Sequence, residues 1–365
     1  MERSGMGERL TNVCSDIVGG VRGGMGIVVI VACAVFGAVS GAGSAAVASV
    51  GSVLIPRAVS LGYPKGYMVG LVACSSVLTL LIPPSIPMLV LALTLHISIA
   101  ASFLTTVVPA VLIAVGYSLV NIVLVQKMPT VMRTSGISLR ARASQVGKSG
   151  KRAFWPLVVP IVVLGSIYGG LASPTEAAGL GVVYVAVVSL FVLKSLSIGQ
   201  FLQASWEAGR LIGALIIILV SLILFSQVLI NEGMPFEVAE FLQGDLPKWQ
   251  ILLLLNLILL VIGMVMDDIS GSIIAASIIY PIVSGFDVQP LHFAAIVGVN
   301  LGMGNVTPPV APLLYLASGV AGNVPMNEYV GPVLKFLFFA HLPILIVVTF
   351  FPEISLFLPR LAGYL

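Results

Sequence analysis

The chain alternates long apolar runs with short polar breaks, which is the pattern of helices that cross a membrane. Seven apolar runs approach or exceed the roughly 20 residues that a helix needs to span a bilayer. They cover residues 66–98, 103–125, 154–171, 176–194, 210–230, 291–322 and 330–352. Residues 126–152 form a polar, basic loop between them, and a short segment at 233–243 is predicted to lie at the membrane interface.

Two further apolar runs, at 25–57 and 250–285, are interrupted near their middle. The interruptions are Ser40-Gly41-Ala42-Gly43-Ser44 in the first run and Asp267-Asp268-Ile269-Ser270-Gly271 in the second. An arm of about fifteen residues is only ~23 Å long, whereas the hydrocarbon core is ~30 Å thick. Each run therefore predicts a re-entrant helical hairpin that enters and leaves the membrane on one side.

The second half of the chain repeats the proline pattern of the first half at one constant offset along the sequence. The matching pairs are Pro56 and Pro281, Pro83 and Pro308, Pro84 and Pro309, and Pro87 and Pro312. Proline breaks a helix and frees backbone carbonyls, which are tolerated at membrane depth only where protein or a water-filled cavity covers them. Interrupted helices at matching positions of two halves indicate the binding site of a secondary transporter.

The layout predicts an inverted repeat, because five crossings separate the two hairpins and they must enter from opposite faces. The face that holds the 126–152 loop carries fifteen of the seventeen Lys and Arg residues, and the other face carries only Lys248 and Arg360. The positive-inside rule makes the first face cytoplasmic and places the C-terminus in the periplasm.

The predicted organisation follows from these elements. Residues 1–24 form an N-terminal cytoplasmic or interfacial segment, 25–125 the first repeat, 126–152 the basic cytoplasmic loop, 153–232 the central spans and 233–365 the second repeat. The predicted fold class is an all-α polytopic membrane protein with two re-entrant hairpins and two broken helices.

Composition excludes a soluble protein. Hydrophobic residues make up 59% of the chain, only 8% is charged, and the mean hydropathy is +1.14, whereas soluble domains are about 25% charged. The three cysteines show no CxxC spacing, so a disulfide framework, a transition-metal site or a resident cofactor is not expected. The isolated His96, His292 and His341 are expected to be core or interface residues, and Ser173 to Glu176 fits a capping box.

A hairpin tip that meets a broken helix supplies freed carbonyls and hydroxyls, which suit a small hard cation, while helix N-termini attract a carboxylate. The first candidate cation site comprises Ser40, Gly41, Ser44, Thr79, Ile82 and Ser85. The second comprises Gly263, Gly304, Thr307 and Val310, with Asp267 at the hairpin tip. Candidates for substrate contact or coupling are Asp267, Asp268, Ser270, Pro83, Pro84, Pro308 and Pro309. The competing interpretation is that small residues merely permit close helix packing.

A set of ordered motifs covers essentially the whole chain. They are AVFGAVSGAGSAAVASVGSVLIP (34–56), GYPKGYMVGLVACSSVLTLLIPPS (62–85), GGLASPTEAAGLGVVY (169–184), GMVMDDISGSIIAASIIYPIV (263–283) and LGMGNVTPPVAPLLYLASG (301–319). With them the chain resembles the large membrane (M) subunit of TRAP transporters. The resemblance implies a sodium-driven, tripartite importer of carboxylate-bearing solutes in the bacterial cytoplasmic membrane. Its implied partners are a periplasmic substrate-binding protein and a small four-helix membrane subunit, with no role for nucleic acid.

The resemblance also implies an elevator motion and sodium sites at the two candidate cation sites. Two departures from the family pattern are expected to matter. The opening MERSGMGERL matches an internal stretch of that pattern, normally preceded by one or two helices, and Ala42-Gly43 reduce the number of hydroxyls at the first tip.

Three other functions remain open from the residues. One is an ion-coupled carboxylate carrier that needs no binding protein. Another is an intramembrane hydrolase that uses Asp267 and Asp268, although no nucleophile or metal-ligand spacing supports it. A channel is disfavoured because no ring of polar residues repeats along a span.

Overall fold

The structure is a computed structural model that describes residues 9–11, 13–15, 23–131, 139–234, 237–238, 240 and 246–365. Throughout these ranges the regular elements are helical. The helices are Gly24–Ser40, Gly43–Ser60, Lys65–Ser76, Leu78–Leu81, Ile86–Thr94, Ile99–Thr105, Val107–Gln126, Leu139–Tyr168, Pro174–Val187, Ile198–Asn231, Lys248–Val265, Asp268–Ile274, Tyr280–Ser284, Pro290–Gly304, Pro312–Val320, Met326–Phe336, Leu342–Phe350 and Pro352–Leu361. Single π-helical turns at Val188–Val192, Ala275–Ile279 and Leu337–His341 adjoin them.

The prediction of an all-helical polytopic membrane protein is confirmed. Within the described residues, six helices are long and apolar enough to cross a membrane, or seven if the pair Lys65–Leu81 and Ile86–Thr94, bent by 42°, counts as one span. Two of the six are the hairpin arms Gly43–Ser60 and Lys248–Val265, with 18 residues each. The expected arm length of about fifteen residues is therefore wrong for these two: an arm of 18 residues extends ~27 Å and reaches the lower end of the range of helix lengths that span a bilayer.

Four segments organise the fold: the first hairpin (residues 24–60), the first broken helix (65–94), the second hairpin (248–284) and the second broken helix (290–320). When residue numbers in the first half are shifted by the offset that separates the matching prolines, they give the bounds of the segments in the second half. Shifting Gly43–Ser60 by that offset gives 268–285, and the structure has helical residues 268–284. Shifting Lys65 in the same way gives position 290, where the second broken helix begins. The order of elements in one half is thus repeated in the other.

The two broken helices are interrupted where the sequence places the proline clusters. The first stops at Leu81 and resumes at Ile86, where the Ser85 side chain caps the new helix by accepting from the Met88 amide at 3.4 Å. The second stops at Gly304 and resumes at Pro312 after Ala311, which has a φ of 33°. The Pro83–Pro84 and Pro308–Pro309 bonds are both cis.

The open end (mouth) of each hairpin, opposite its tip, contacts a different loop. Beyond the first hairpin, the Thr130 hydroxyl donates to the Gly62 carbonyl at 2.8 Å. At the second hairpin, Lys248 Nζ donates to the Asp287 carbonyl at 3.1 Å. The loop at Ile97–Ser98 shares a cavity with Gln289–Pro290 and the chain end at Tyr364–Leu365. The loop that follows the first broken helix therefore lies with the loop that precedes the second.

Two helices extend further into polar sequence than the pattern of apolar runs predicts. The predicted 126–152 loop is helical from Leu139, and the span predicted at 210–230 begins at Ile198. Arg, Ala, Gln and Lys favour helix without being apolar, which explains both corrections. The helix Pro352–Leu361 was also missed; its Leu356 packs with Ala101 and Leu291. Much of the predicted 233–243 segment lies outside the described residues.

The structure confirms the predicted capping box and the core positions of two of the three histidines. Ser173 and Glu176 form the reciprocal capping box. His292 and His341 are buried core residues whose Nε2 atoms each lie 2.9 Å from a carbonyl oxygen, of Val348 and Val299 respectively. His96 is exposed. The three cysteines are buried and unpaired.

Candidate functional site

The tip of the first hairpin lies directly against the first break. Gly41 has a φ of +65°, and a Cβ atom added to it would overlap the Pro84 carbonyl oxygen and lie 3.5 Å from the Ser85 Cα. One turn earlier, a Cβ on Gly37 would lie 2.7 Å from the Thr79 Cα. Only glycine allows both this backbone conformation and this approach, so the predicted neighbours Gly41, Pro84 and Ser85 are brought together.

Hydroxyl groups surround the first break, and most donate to backbone carbonyls. Thr79 donates to the Ser76 carbonyl at 2.7 Å, and Ser85 donates to the Leu80 carbonyl. Thr79 and Ser85 are buried, Ser40 and Ile82 are half-buried, and the Ser44 side chain is exposed. A hydroxyl that donates its hydrogen retains lone pairs, so these oxygens keep the capacity to bind a cation.

At the second candidate site the second hairpin packs on the second broken helix through glycines. A Cβ on Gly263 would lie 3.0 Å from the Leu301 Cα and 3.2 Å from the Gly304 Cα. The half-buried Thr307 donates its hydroxyl to the Met303 carbonyl at 2.7 Å. Val310 is exposed. Gly263, Gly304 and Thr307 are therefore close together at the start of the break.

The proline residues contribute backbone oxygens at both breaks. Pro83 is buried, and Pro84 and Pro308 are half-buried. Pro309 is exposed, and its carbonyl accepts a hydrogen bond from the Tyr315 hydroxyl at 2.8 Å.

The adjacent carboxylates at the second tip have different contacts. Asp267 is the N-cap of the helix Asp268–Ile274 and accepts from the amides of Ile269 at 3.0 Å and Ser270 at 3.3 Å. Asp268 accepts from the side-chain amide of the buried Asn305, in the second break. One carboxylate thus shapes the tip, and the other joins the tip to the broken helix. The described part of the chain holds no group of three or more His, Cys, Asp or Glu that could bind a metal.

The two candidate sites share structural elements. A Cβ on Gly43, in the first tip, would lie 3.3 Å from a methyl group of Leu313 and 3.6 Å from one of Leu80. The helix Asp268–Ile274 of the second hairpin packs against Ile86–Thr94 of the first broken helix. Each hairpin therefore touches both broken helices.

A polar cluster behind the second break was missed by sequence reasoning. Asn300 Nδ2 donates to the Asn256 carbonyl at 2.9 Å and to Asn256 Oδ1 at 2.7 Å. Asn256 Nδ2 in turn donates to Thr349 Oγ1 at 3.0 Å. Thr106 was also missed; it donates to the Leu81 carbonyl at 2.6 Å, at the edge of the first break. Polar residues within apolar runs were the available signal for these contacts.

Comparison with protein families identifies a match over almost the whole chain. Residues 1–354 match the family described as "Tripartite ATP-independent periplasmic transporter, DctM component". A C4-dicarboxylate TRAP transporter large permease protein of Pseudomonas aeruginosa is 35% identical over 366 residues, which is 100% of this chain and 84% of that protein.

Two further relatives carry other substrates in their names. An isethionate TRAP transporter permease protein of Oleidesulfovibrio alaskensis is 34% identical, over 98% of this chain and 55% of its own length. A sialic acid TRAP transporter permease protein of Haemophilus influenzae is 28% identical, over 99% of this chain and 58% of its own length. With its two hairpins set against two broken helices and this match across residues 1–354, the chain belongs to the family of TRAP transporter large permease proteins.

Proposed function

We propose that this chain is the large permease subunit of a sodium-coupled importer of carboxylate-bearing solutes. The observation that carries the proposal is the seating of each hairpin against a proline-broken helix. Gly41 lies on the Pro84 carbonyl, and Gly263 lies on Leu301 and Gly304. Such junctions, at matching positions of two halves, are where secondary transporters bind substrate and coupling ion.

The relation between the two halves supports transport by alternating access. Val77 and Gly302 occupy equivalent positions at the repeat offset, and a Cβ on Gly302 would overlap Val77 Cγ1. Two equivalent residues touch only near the axis that relates them. The loop contacts at the two hairpin mouths fit an axis in the membrane plane, and hence an inverted repeat. An elevator motion would carry the hairpins and broken helices across the membrane.

The chemistry of the two sites supports sodium as the coupling ion. Neutral oxygens of Thr79, Ser85 and Thr307 lie at the breaks, in keeping with the preference of hard cations for oxygen ligands. The helices Gly43–Ser60, Ile86–Thr94 and Pro312–Val320 begin beside these breaks, and their positive N-termini attract a carboxylate.

The relatives support the substrate class and the partners. Two of the three relatives described above are named for C4-dicarboxylate and sialic acid, which carry carboxylates, whereas the third is named for isethionate, a sulfonate. Since the family is tripartite, the partners are a small four-helix membrane subunit and a periplasmic binding protein. The same assignment argues against the carrier that needs no binding protein. Asp267 caps a helix and Asp268 pairs with Asn305. These structural roles account for both carboxylates without the intramembrane hydrolase. The location is the bacterial cytoplasmic membrane with the C-terminus outside.

Thermal unfolding of the detergent-solubilised protein tests the ion assignment. A ligand that binds only the folded state stabilises it by RT ln(1 + [L]/Kd). We expect sodium chloride to raise the melting temperature above its value in potassium chloride or choline chloride at equal ionic strength. Thr307→Ala should reduce that rise without changing the melting temperature in potassium. An equal melting temperature in all three salts would exclude sodium as the ligand.

A further inference from the structure

Two buried polar atoms without a hydrogen-bond partner occupy equivalent positions in the two broken helices. Among the described residues, five buried side-chain polar atoms have no partner: Ser75 Oγ, Ser189 Oγ, Ser195 Oγ, Asn300 Oδ1 and Ser355 Oγ. Ser75 and Asn300 stand at the same offset along the sequence as the matching prolines. Both residues are 0% exposed. Five atoms form only ten pairs, so this agreement with the repeat is not expected by chance.

Both atoms lie one helical turn before a candidate cation site. Ser75 precedes Thr79 by four residues, and Asn300 precedes Gly304 by four. Residues four apart share a face of a helix. On that face, Thr79 contacts Gly37 of the first hairpin and Gly304 contacts Gly263 of the second. The unpaired polar atoms therefore belong to the same helix faces as the two hairpin junctions.

The hydrogen bonds around Asn300 define what its free oxygen requires. Its amide nitrogen donates to Asn256, and Thr349 donates to the Leu345 carbonyl at 2.8 Å. The Asn256 amide donates to the Leu252 carbonyl at 2.8 Å and to Thr349. The donors of this cluster are thus occupied, and Asn300 Oδ1 is a buried acceptor. Burying an acceptor without a donor is unfavourable, so a donor is the chemistry that fits.

One turn of helix is comparable in length with the span of one bridging water molecule. Four residues of helix rise about 6 Å. A water that donates to the side chain at about 2.8 Å and binds a hard cation at about 2.4 Å spans roughly 5 Å. We propose that Ser75 and Asn300 are positioning residues that each hold one water molecule as a ligand of the coupling cation, one in each repeat. This inference rests on the proposed sodium coupling.

Paired variants separate this role from packing. In the first broken helix, Ser75→Ala removes the unpaired hydroxyl, whereas its control Ser76→Ala removes a buried hydroxyl that already donates to the Ala73 carbonyl at 2.7 Å. In the second, Asn300→Leu removes the free oxygen, whereas Thr349→Val removes a hydroxyl of the same cluster. The measurement is the sodium concentration that gives half of the thermal stabilisation, at constant ionic strength with potassium.

We expect Ser75→Ala and Asn300→Leu to raise the half-saturating sodium concentration about tenfold, and the two controls to leave it unchanged. Ser75→Ala should also keep or raise the melting temperature in potassium, because it removes an unpaired buried group. If the wild type responds to sodium and Ser75→Ala behaves like Ser76→Ala, the water-holding role is overturned while the proposed function stands. An equal shift in test and control variants overturns the role as well. A wild type without any sodium-specific response overturns both.

Discussion

Val77 and Gly302 touch, although they belong to different halves of the chain and are separated by the full repeat offset. Val77 lies immediately before the short helix Leu78–Leu81, and Gly302 lies in the last turn before the second break. Both residues are buried. The contact brings the two broken helices together just before their breaks, so the Val77 side chain limits how closely they approach at this point.

A side chain at position 302 should therefore destabilise the protein. Gly302→Ala forces its Cβ into Val77, and overpacking of this kind costs typically about 1–3 kcal/mol. We expect a lower melting temperature in detergent. Gly319→Ala is the control, because a Cβ there meets nothing within 4 Å. Val77→Ala combined with Gly302→Ala should restore part of the loss, and an additive double variant would contradict the contact.

The conformation of Gly41 makes a separate prediction about the first junction. In Gly41→Ala the new Cβ is strained by the positive φ and also overlaps the Pro84 carbonyl oxygen. In Gly170→Ala the φ of +68° strains the backbone, but the Cβ has no atom within 4 Å. Both should lose about 1–2 kcal/mol from the left-handed backbone. Only Gly41→Ala should lower sodium-driven uptake in proteoliposomes supplied with the binding protein and the small subunit. Equal uptake by both variants would remove the first tip from the mechanism.

Asp267 allows its charge to be separated from its role as a helix cap. Asn and Asp cap helices about equally well, whereas Ala costs about 1 kcal/mol. Asp267→Asn should keep the melting temperature in potassium, and Asp267→Ala should lower it. We still expect Asp267→Asn to raise the sodium concentration needed for uptake, because it removes a negative charge beside the second candidate cation site. A wild-type sodium dependence in Asp267→Asn would show that the residue serves only as a cap.

The topology can be read by cysteine labelling in intact cells. Cys14, Cys33 and Cys74 are buried and should give little background. A membrane-impermeant maleimide added outside should label Lys248→Cys and Arg360→Cys but not Lys127→Cys. Permeabilised cells, in which all three variants are labelled, provide the control. Labelling of Lys127→Cys in intact cells would reverse the assigned orientation.

The elements of the site were accessible from the sequence because strong local signals mark them. Prolines stop the broken helices near Leu81 and Gly304, and small or acidic residues end the hairpin arms at Ser40 and Val265. These effects act within a few residues of the chain. The contact of Gly41 with Pro84 could be expected once the hairpin tip and the break of the broken helix were assigned to the same repeat.

The remaining contacts depend on tertiary structure and were not predictable from a single chain. Asn305 joins Asp268 across 37 residues, and Asn256 joins Thr349 across 93. No periodicity marks such pairs, because each needs two helices to meet at one depth and rotation. The helix Pro352–Leu361 was missed for a different reason: its mixed composition resembles neither a span nor a turn.

The position of Gly43 has a consequence for how the two sites act together. Because this residue packs against both Leu80 and Leu313, the first tip forms a wall common to both breaks. Under the proposed sodium coupling, a shift of that tip on occupation of one site would alter the free energy of binding at the other, and thermodynamic linkage makes the effect equal in both directions. We therefore expect the Hill coefficient of sodium binding to differ from one, and to move towards one when the shared wall is disrupted.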